Sequence, residues 1–301
     1  MAKLNKDISI IGVPMDLGQM RRGVDMGPSA IRYAGIVERL EKLNYKIDDF
    51  GDLQVPRPIQ EEKDESVRNL AEIVSVNTDL AQTVNEVVQN KRFPLVLGGD
   101  HSIAIGTLAG LAEHYDNLGV IWYDAHGDIN TPETSPSGNI HGMSVAASLG
   151  YGHERLTSIM SEKPKIKAEN FVYIGVRDLD KGEKEIIKQL GIKTYTMHEV
   201  DRLGMSQVMA EAIDYLKGRT DGVHLSFDLD GIDPEEAPGV GTPVIGGATY
   251  RESHLALEML AESDLITSCE FVEVNPMLDM KSKTADLAVA LIGSLFGEKL
   301  L

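Results

Sequence analysis

The 301-residue sequence predicts an α/β fold built on a parallel sheet. Apolar runs of strand length alternate with helical patterns from end to end. Several runs are apolar on both faces, as strands are when helices cover both sides of a sheet. Clusters of Asp and His stand directly after three of the runs, at the end where parallel sheets collect ligands.

The first strand is expected at Ile8–Val13, and Gly27-Pro28 opens a helix over Pro28–Leu43, since proline suits the first helical position. Tyr45–Phe50 is the second strand. A polar, charged connection at Glu61–Val67 leads to a helix over Leu70–Gln89. Pro94–Leu97 runs into Gly98-Gly99-Asp100-His101 and a helix over Ile103–Tyr115. Val120–Tyr123 runs into Asp124-Ala125-His126-Gly127-Asp128, then into a turn-rich loop, Asn130–Ile140, placed where loops commonly read substrate. Phe171–Gly175, a helix over Glu183–Leu190, Lys193–Thr196 and a helix over Ser206–Leu216 follow. Val223–Phe227 runs into Asp228-Leu229-Asp230-Gly231-Ile232-Asp233. The last elements are helices over Tyr250–Glu262 and Thr284–Phe296, flanking a strand at Ser268–Val274. Eight strands fit an open doubly wound sheet or a closed (β/α)₈ barrel, and periodicity does not separate the two. With no repeat, low-complexity tract or linker, residues 1–301 are expected to form a single domain.

The 47 acidic residues against 29 basic ones give a net charge of -18, which argues against nucleic acid or an anionic membrane as partner. Cys269 is the only cysteine, so neither an internal disulfide nor a thiolate metal site is available. Its apolar setting reads as core. Met1–Lys6 carry no signal-peptide core and no stretch is long enough to span a bilayer, so the cytoplasm is the expected compartment.

Strand side chains alternate faces, so Asp124 and His126 share one side, as do Asp228 and Asp230. The candidate metal ligands are His101, Asp124, His126, Asp128, Asp228 and Asp230. Four carboxylates and two imidazoles exceed a four-coordinate zinc site and suit two divalent ions sharing carboxylates. The oxygen-rich set favours a harder ion such as Mn²⁺ over Zn²⁺, although affinity order alone lets zinc or nickel compete. Such a pair turns a water into a hydroxide nucleophile near neutral pH. Taken singly, an Asp-x-Asp is usually a turn or cap; joint placement after three strands makes the metal case. Asp100 and Asp233 read as loop-fixing neighbours. His224 lies four residues before Asp228, about 13 Å along a strand, and reads as a buried, hydrogen-bonded histidine. His114, His153, His198 and His254 have no place in the site, and Trp122 reads as core.

On these motifs the chain resembles the ureohydrolase (arginase–agmatinase) superfamily and, within it, the arginases. Gly98-Gly-Asp-His-Ser, Asp124-Ala-His-Gly-Asp-Ile-Asn and Ser226-Phe-Asp-Leu-Asp-Gly-Ile-Asp-Pro match its three signatures. The likeness extends from Ile11-Gly-Val-Pro-Met-Asp to Phe271-Val-Glu-Val-Asn-Pro. It implies a three-layer α/β/α architecture on an open sheet of eight mostly parallel strands, holding two Mn²⁺ per subunit. One ion falls to His101, Asp124, Asp128 and Asp228, the other to Asp124, His126, Asp228 and Asp230. Asn130, Ser137 and Asn139 match positions that grip the α-carboxylate of L-arginine, and Asp180 and Glu183 those that recognise its α-amino group. The resemblance further implies a homo-oligomer, trimer or hexamer.

The expected reaction is manganese-dependent hydrolysis of L-arginine to L-ornithine and urea by a metal-bridging hydroxide. Glu273 pairs with the guanidinium, His141 protonates the departing amine, and Asp128 carries a proton from the bridging water. Thr242 and Gly246 shape the guanidinium pocket. A capped strand end and a helix-start histidine are the plainer readings of Glu273 and His141. Three rivals stand beside this: an agmatinase or other guanidino-compound hydrolase, an inactive arginine-sensing scaffold, and a nucleotide-binding turn at Gly98–Gly106. Asp100, standing where a phosphate would sit, argues against the last.

Overall fold

The computed structural model describes residues 7–57 and 66–300. The N-terminal hexapeptide and most of the charged connection expected at 61–67 fall outside that range. Among the described residues there are eight strands: β1 (Asp7–Val13), β2 (Lys46–Asp52), β3 (Phe93–Gly98), β4 (Leu118–Tyr123), β5 (Phe171–Val176), β6 (Lys193–Thr196), β7 (Gly222–Asp228) and β8 (Ile266–Val272). The helices are α1 (Gly27–Tyr33), α2 (Ile36–Lys42), α3 (Leu70–Gln89), α4 (Ala104–Ala112), α5 (Ser144–Ser148), α6 (Glu154–Thr157), α7 (Lys181–Leu190), α8 (Met197–Leu203), α9 (Met205–Leu216), α10 (Tyr250–Ser263) and α11 (Lys283–Leu295).

All eight strand positions stand where the apolar runs put them. The helix expected over Pro28–Leu43 is two helices, because Gly35 adopts φ 91° and breaks the ladder between them. The helix expected from Ile103 begins with a 3-10 turn, His101–Ile103, whose entry Asp100 caps through the Ser102 amide. Short α5, α6 and α8 were not expected. For α8 a signal existed: Thr196 and Glu199 form a capping box around its first turn.

The strands form one open sheet in the order β2-β1-β3-β8-β7-β4-β5-β6, every pair parallel. That settles the open sheet over the barrel. Alternation then sorts side chains into two cores. Ile8, Leu95, Ile121, Tyr123, Phe227 and Phe271 face one side, against α1, α2 and α9 to α11. Val13, Val96, Val120, Trp122, Tyr173 and Val272 face the other, against α3, α4, α5 and α7. The result is the three-layer α/β/α sandwich.

The strand order also places the site. From β3 the chain crosses to β4, three positions away, and later returns to insert β7 and β8 into the gap. The four central neighbours β3, β8, β7 and β4 therefore end side by side, and each is followed by one of the acidic or His motifs. Such a switch in winding direction leaves a crevice beyond the carboxyl ends.

Candidate metal centre

His101 enters the crevice from the turn after β3, Asp124, His126 and Asp128 from the end of β4, and Asp228 and Asp230 from β7. His101 Nδ1 is 3.1 Å from one oxygen each of Asp124, Asp128 and Asp228. None of the three contacts has hydrogen-bond geometry, and this buried nitrogen has no hydrogen-bond partner. One ring N–H could satisfy at most one of these oxygens, whereas a cation would accept all four donor atoms at once. Beside this set, His126 Nδ1 lies 3.4 Å from Asp124 Oδ1 and 3.2 Å from Asp230 Oδ2. Two groups, His101–Asp124–Asp228 and Asp124–His126–Asp230, have ligand atoms close enough to hold an ion each.

Asp124 belongs to both, with Oδ2 turned to His101 and Oδ1 to His126. Asp228 is placed differently. Its Oδ2 faces His101, and its Oδ1 accepts the Asp230 backbone N–H at 2.7 Å.

The electrostatics point the same way. Burial drives the Asp228 carboxyl well above its usual range, and the neighbouring Asp230 and Asp124 push it further. Burial raises Asp128 too, helped by Asp124. For His101, burial alone favours the neutral ring, but the carboxylates of Asp124, Asp128 and Asp228 outweigh it and raise its pKa strongly. Protein groups alone thus accommodate these charges by protonating an imidazole and a carboxyl; divalent ions relieve the same pressure with oxygen and nitrogen ligands they prefer.

The supports around the ligands come from residues that periodicity assigns to the core. Trp122 is buried, as expected, but it also stacks on the His101 ring at 4.0 Å between centroids and 7° between planes. Its Nε1 donates to Asp124 Oδ2 at 2.8 Å. His101 Nε2 is 2.7 Å from Ser226 Oγ, which donates to Glu270 Oε1 at 2.7 Å. With the hydroxyl hydrogen committed to Glu270, Ser226 accepts from Nε2–H, so Nδ1 is the nitrogen whose lone pair a cation would meet in place of a proton. His224 is buried and bonds Ser268 through Nδ1, and its Nε2 lies 3.4 Å from Glu270. Asp100 ties its own turn to Gly18, and Asp233 accepts the Glu235, Gly246 and Gly247 amides, so both fix loops. Arg177 links the Asp230 and Val244 carbonyls, clamping the loops after β7 together.

Glu273 sits just past β8 with φ 68°, and Asp128 has φ 48°. A glutamate in the left-handed region is uncommon and marks a side chain held against local preference. Its neighbours on the β3 turn help hold it. Its N–H donates to Gly99 O at 2.8 Å, and its Oε1 accepts the His101 N–H at 3.0 Å. Gly99 must be glycine, because a Cβ there would stand 1.8 Å from Met15 O. His141 Nδ1 lies 3.7 Å from Glu273 Oε1. Burial disfavours the charged ring of His141, yet Glu273 prevails and lifts its pKa to about 9.

A cavity of about 420 Å³ opens above these groups, lined by His141, Asn139, Thr242, Gly241 and Gln19 among others. Thr242 Oγ1 donates to Asp230 Oδ2 at 2.9 Å. Gly246 lies in the exposed turn bound to Asp233 and does not line the cavity. Asn130 donates to Asp180 at 2.9 Å, Ser137 Oγ accepts the Asn139 N–H at 3.2 Å, and Asn139 Oδ1 has no hydrogen-bond partner. Asp180 is exposed at the head of α7. Glu183 is buried and already accepts the Asp180 and Ile129 amides. Burial raises its carboxyl to about 7.

The arginase family model matches residues 6–297, nearly the whole chain. The chain belongs to the arginase family. An arginase of Bacillus caldovelox is 70% identical over 298 residues, covering 98% of this chain and all of that one. A solved arginase structure from the same organism aligns at TM-score 0.97 and 69% identity over 98% of this chain and 99% of that one. An Entamoeba histolytica arginase solved in complex with L-ornithine aligns at TM-score 0.91 and 36% identity over 99% and 100% of the two chains. As a member of the arginase family, the chain is a hydrolase.

Proposed function

We propose that this protein hydrolyses L-arginine to L-ornithine and urea at a pair of Mn²⁺ ions. The observation that carries the reading is the ring of carboxylate oxygens around the unpartnered His101 Nδ1, continued through Asp124 to His126 and Asp230. His101, Asp124, Asp128 and Asp228 would hold one ion. Asp124, His126 and Asp230 would hold the other, with Asp228 joining if its Oδ1 leaves the Asp230 amide. The chemistry the ions supply when bound is to make a water nucleophilic near neutral pH.

The remaining work falls to side chains. Arginine's guanidinium is cationic and resonance-stabilised, so it must be fixed and aimed. Glu273, buried and anchored by the His101 amide, pairs with it in a charge-assisted contact. His141, still protonated near pH 7, offers its ring proton to the nitrogen that leaves as ornithine's side-chain amine. Asp128 passes the proton taken from the attacking water. Asn130, Ser137 and Asn139 bind the α-carboxylate through their side-chain N–H and O–H donors. Asp180 faces the α-amino group, while Glu183 holds the loop beneath it. The L-ornithine in the Entamoeba relative supports this choice of substrate end.

The same reading expects a cytoplasmic homo-oligomer, trimer or hexamer, which light scattering of the purified protein tests. No helix among the described residues is long and apolar enough to cross a membrane. Function is tested by urea release from arginine and from agmatine, using metal-stripped protein refilled separately with manganese, zinc and cobalt. Fastest release from arginine with manganese supports the proposal. Preference for agmatine moves the activity to the neighbouring class, and protein that binds two Mn²⁺ without releasing urea is a sensor or scaffold.

A further inference from the structure

One wall of the cavity is formed by a side chain to which the reaction as derived gives no task. Gln19 is 6% exposed and lies in the loop between β1 and α1. Its Nε2 donates to Glu273 Oε2 at 2.9 Å, while its Oε1, also buried, has no hydrogen-bond partner. The orientation of the amide follows from the neighbour: turned over, it would set a carbonyl oxygen against a carboxylate, acceptor on acceptor. The free oxygen and the carboxylate converge. A Cβ on Gly241 would stand 2.7 Å from Gln19 Oε1 and 2.9 Å from Glu273 Oε2, so the Gly241 backbone lies close to both side-chain ends.

The loop that carries Gln19 is tied at several points. Gly18 N–H donates to Asp100 Oδ2 at 2.8 Å, and Gly18 O accepts the His141 N–H at 3.1 Å. Asn69 Nδ2 donates to Leu17 O at 2.8 Å, and Arg21 Nη1 donates to Gly241 O at 2.8 Å. The carboxamide is therefore preorganised, with its donor end spent on Glu273 and its acceptor end left for a ligand. A buried acceptor beside a buried carboxylate suits a cation that presents several N–H groups in one plane.

We infer that Gln19 is a specificity-determining residue: its NH₂ fixes Glu273, and its Oε1 accepts an N–H of the substrate's guanidinium. The inference rests on the reading of this cavity as the arginine site. It assigns Gln19 to the guanidinium end of the ligand and leaves the amino-acid end to Asn130, Ser137 and Asn139.

The test uses the manganese-loaded Gln19→Met protein, similar in length but without donor or acceptor. Arginine turnover is measured together with competitive inhibition by guanidinium chloride and by L-ornithine, which lacks the guanidinium. Expected are an increase of about tenfold or more in the arginine KM and in the guanidinium inhibition constant, the worth of one hydrogen bond to a charged group. The ornithine constant and the manganese content should stay within about threefold of the parent's. A guanidinium constant that does not move overturns the inference. So does an ornithine constant that rises by the same factor, because Gln19 would then serve only to shape the pocket. If Gln19→Met does not fold, Gln19→Asn retracts the amide by one methylene, and the same split between guanidinium and ornithine decides. Failure of the parent protein to release urea from arginine refutes the site reading itself and is seen before any variant is made.

Discussion

The two candidate ion sets contain nearly the same chemistry and are held very differently. The His101 imidazole is fully buried, stacked on Trp122 and hydrogen-bonded through Ser226 to Glu270. The His126 side chain is 24% exposed, and its ring lies beside Asp124 and Asp230 at the cavity edge. One imidazole is fixed in position and tautomer by neighbours deep in the sheet. The other is positioned mainly by the loop after β4, where the His126 backbone N–H donates to Asp124 Oδ1 at 2.6 Å. Ligand identity alone would make the sets equivalent; preorganisation makes the first the stiffer set and leaves the second more open.

The change that should break this comparison outright is Asp124→Ala, because Asp124 faces both sets. Elemental analysis should find both ions lost, and turnover should fall by more than the about 10–100-fold typical of an outer-shell partner. Retention of either ion would show that Asp124 is not shared. Next in size, His126→Ala or Asp230→Ala should cost one ion and most of the turnover while the deep ion stays. Unchanged metal content in both variants refutes the ligand assignment.

Glu270→Gln sharpens the contrast without touching a ligand. Chelator competition should show the deep ion bound about 10–100-fold more weakly and the outer ion nearly unchanged. Equal weakening of both would mean that Glu270 supports the sheet rather than His101. Ser137→Ala lies outside both sets and should raise the arginine KM more than it lowers kcat; the reverse would give that loop a part in the chemistry.

The smallest effect concerns the His141–Glu273 pair in metal-stripped protein. The folded pKa of His141 is raised, so the pair's stabilisation is complete below about pH 6.5, the free-imidazole value, and disappears as pH rises through about 9. The Tm difference between the parent and His141→Asn should follow that course. A difference independent of pH would remove the ionic pair.

The strand positions were legible because each apolar run buries on two faces, a pattern that survives without knowledge of neighbours. The candidate metal motifs were legible because three Asp and His clusters stand directly after apolar runs, at the end where a parallel sheet collects ligands. Trp122 and Ser226 were not read as supports of the site. Their roles depend on where the turn after β3 places His101, which stacks on Trp122 of β4 and bonds Ser226 of β7. Gln19 and Glu270 carried no local signal either: one lies in a loop, the other in a strand whose register against β7 sets Glu270 beside Ser226. The helix over Pro28–Leu43 was read as continuous because its periodicity is, and Gly35 overrides it.

By itself, the sequence determined the eight strands and the acidic and His clusters at their ends, since side-chain alternation and residue chemistry are local properties. Only tertiary structure decided which clusters meet, that Asp124 alone faces both imidazoles with separate oxygens, and that one imidazole is locked while the other is open. Those outcomes follow from the order β3-β8-β7-β4, and strand order is set by long-range packing that no short stretch of residues encodes.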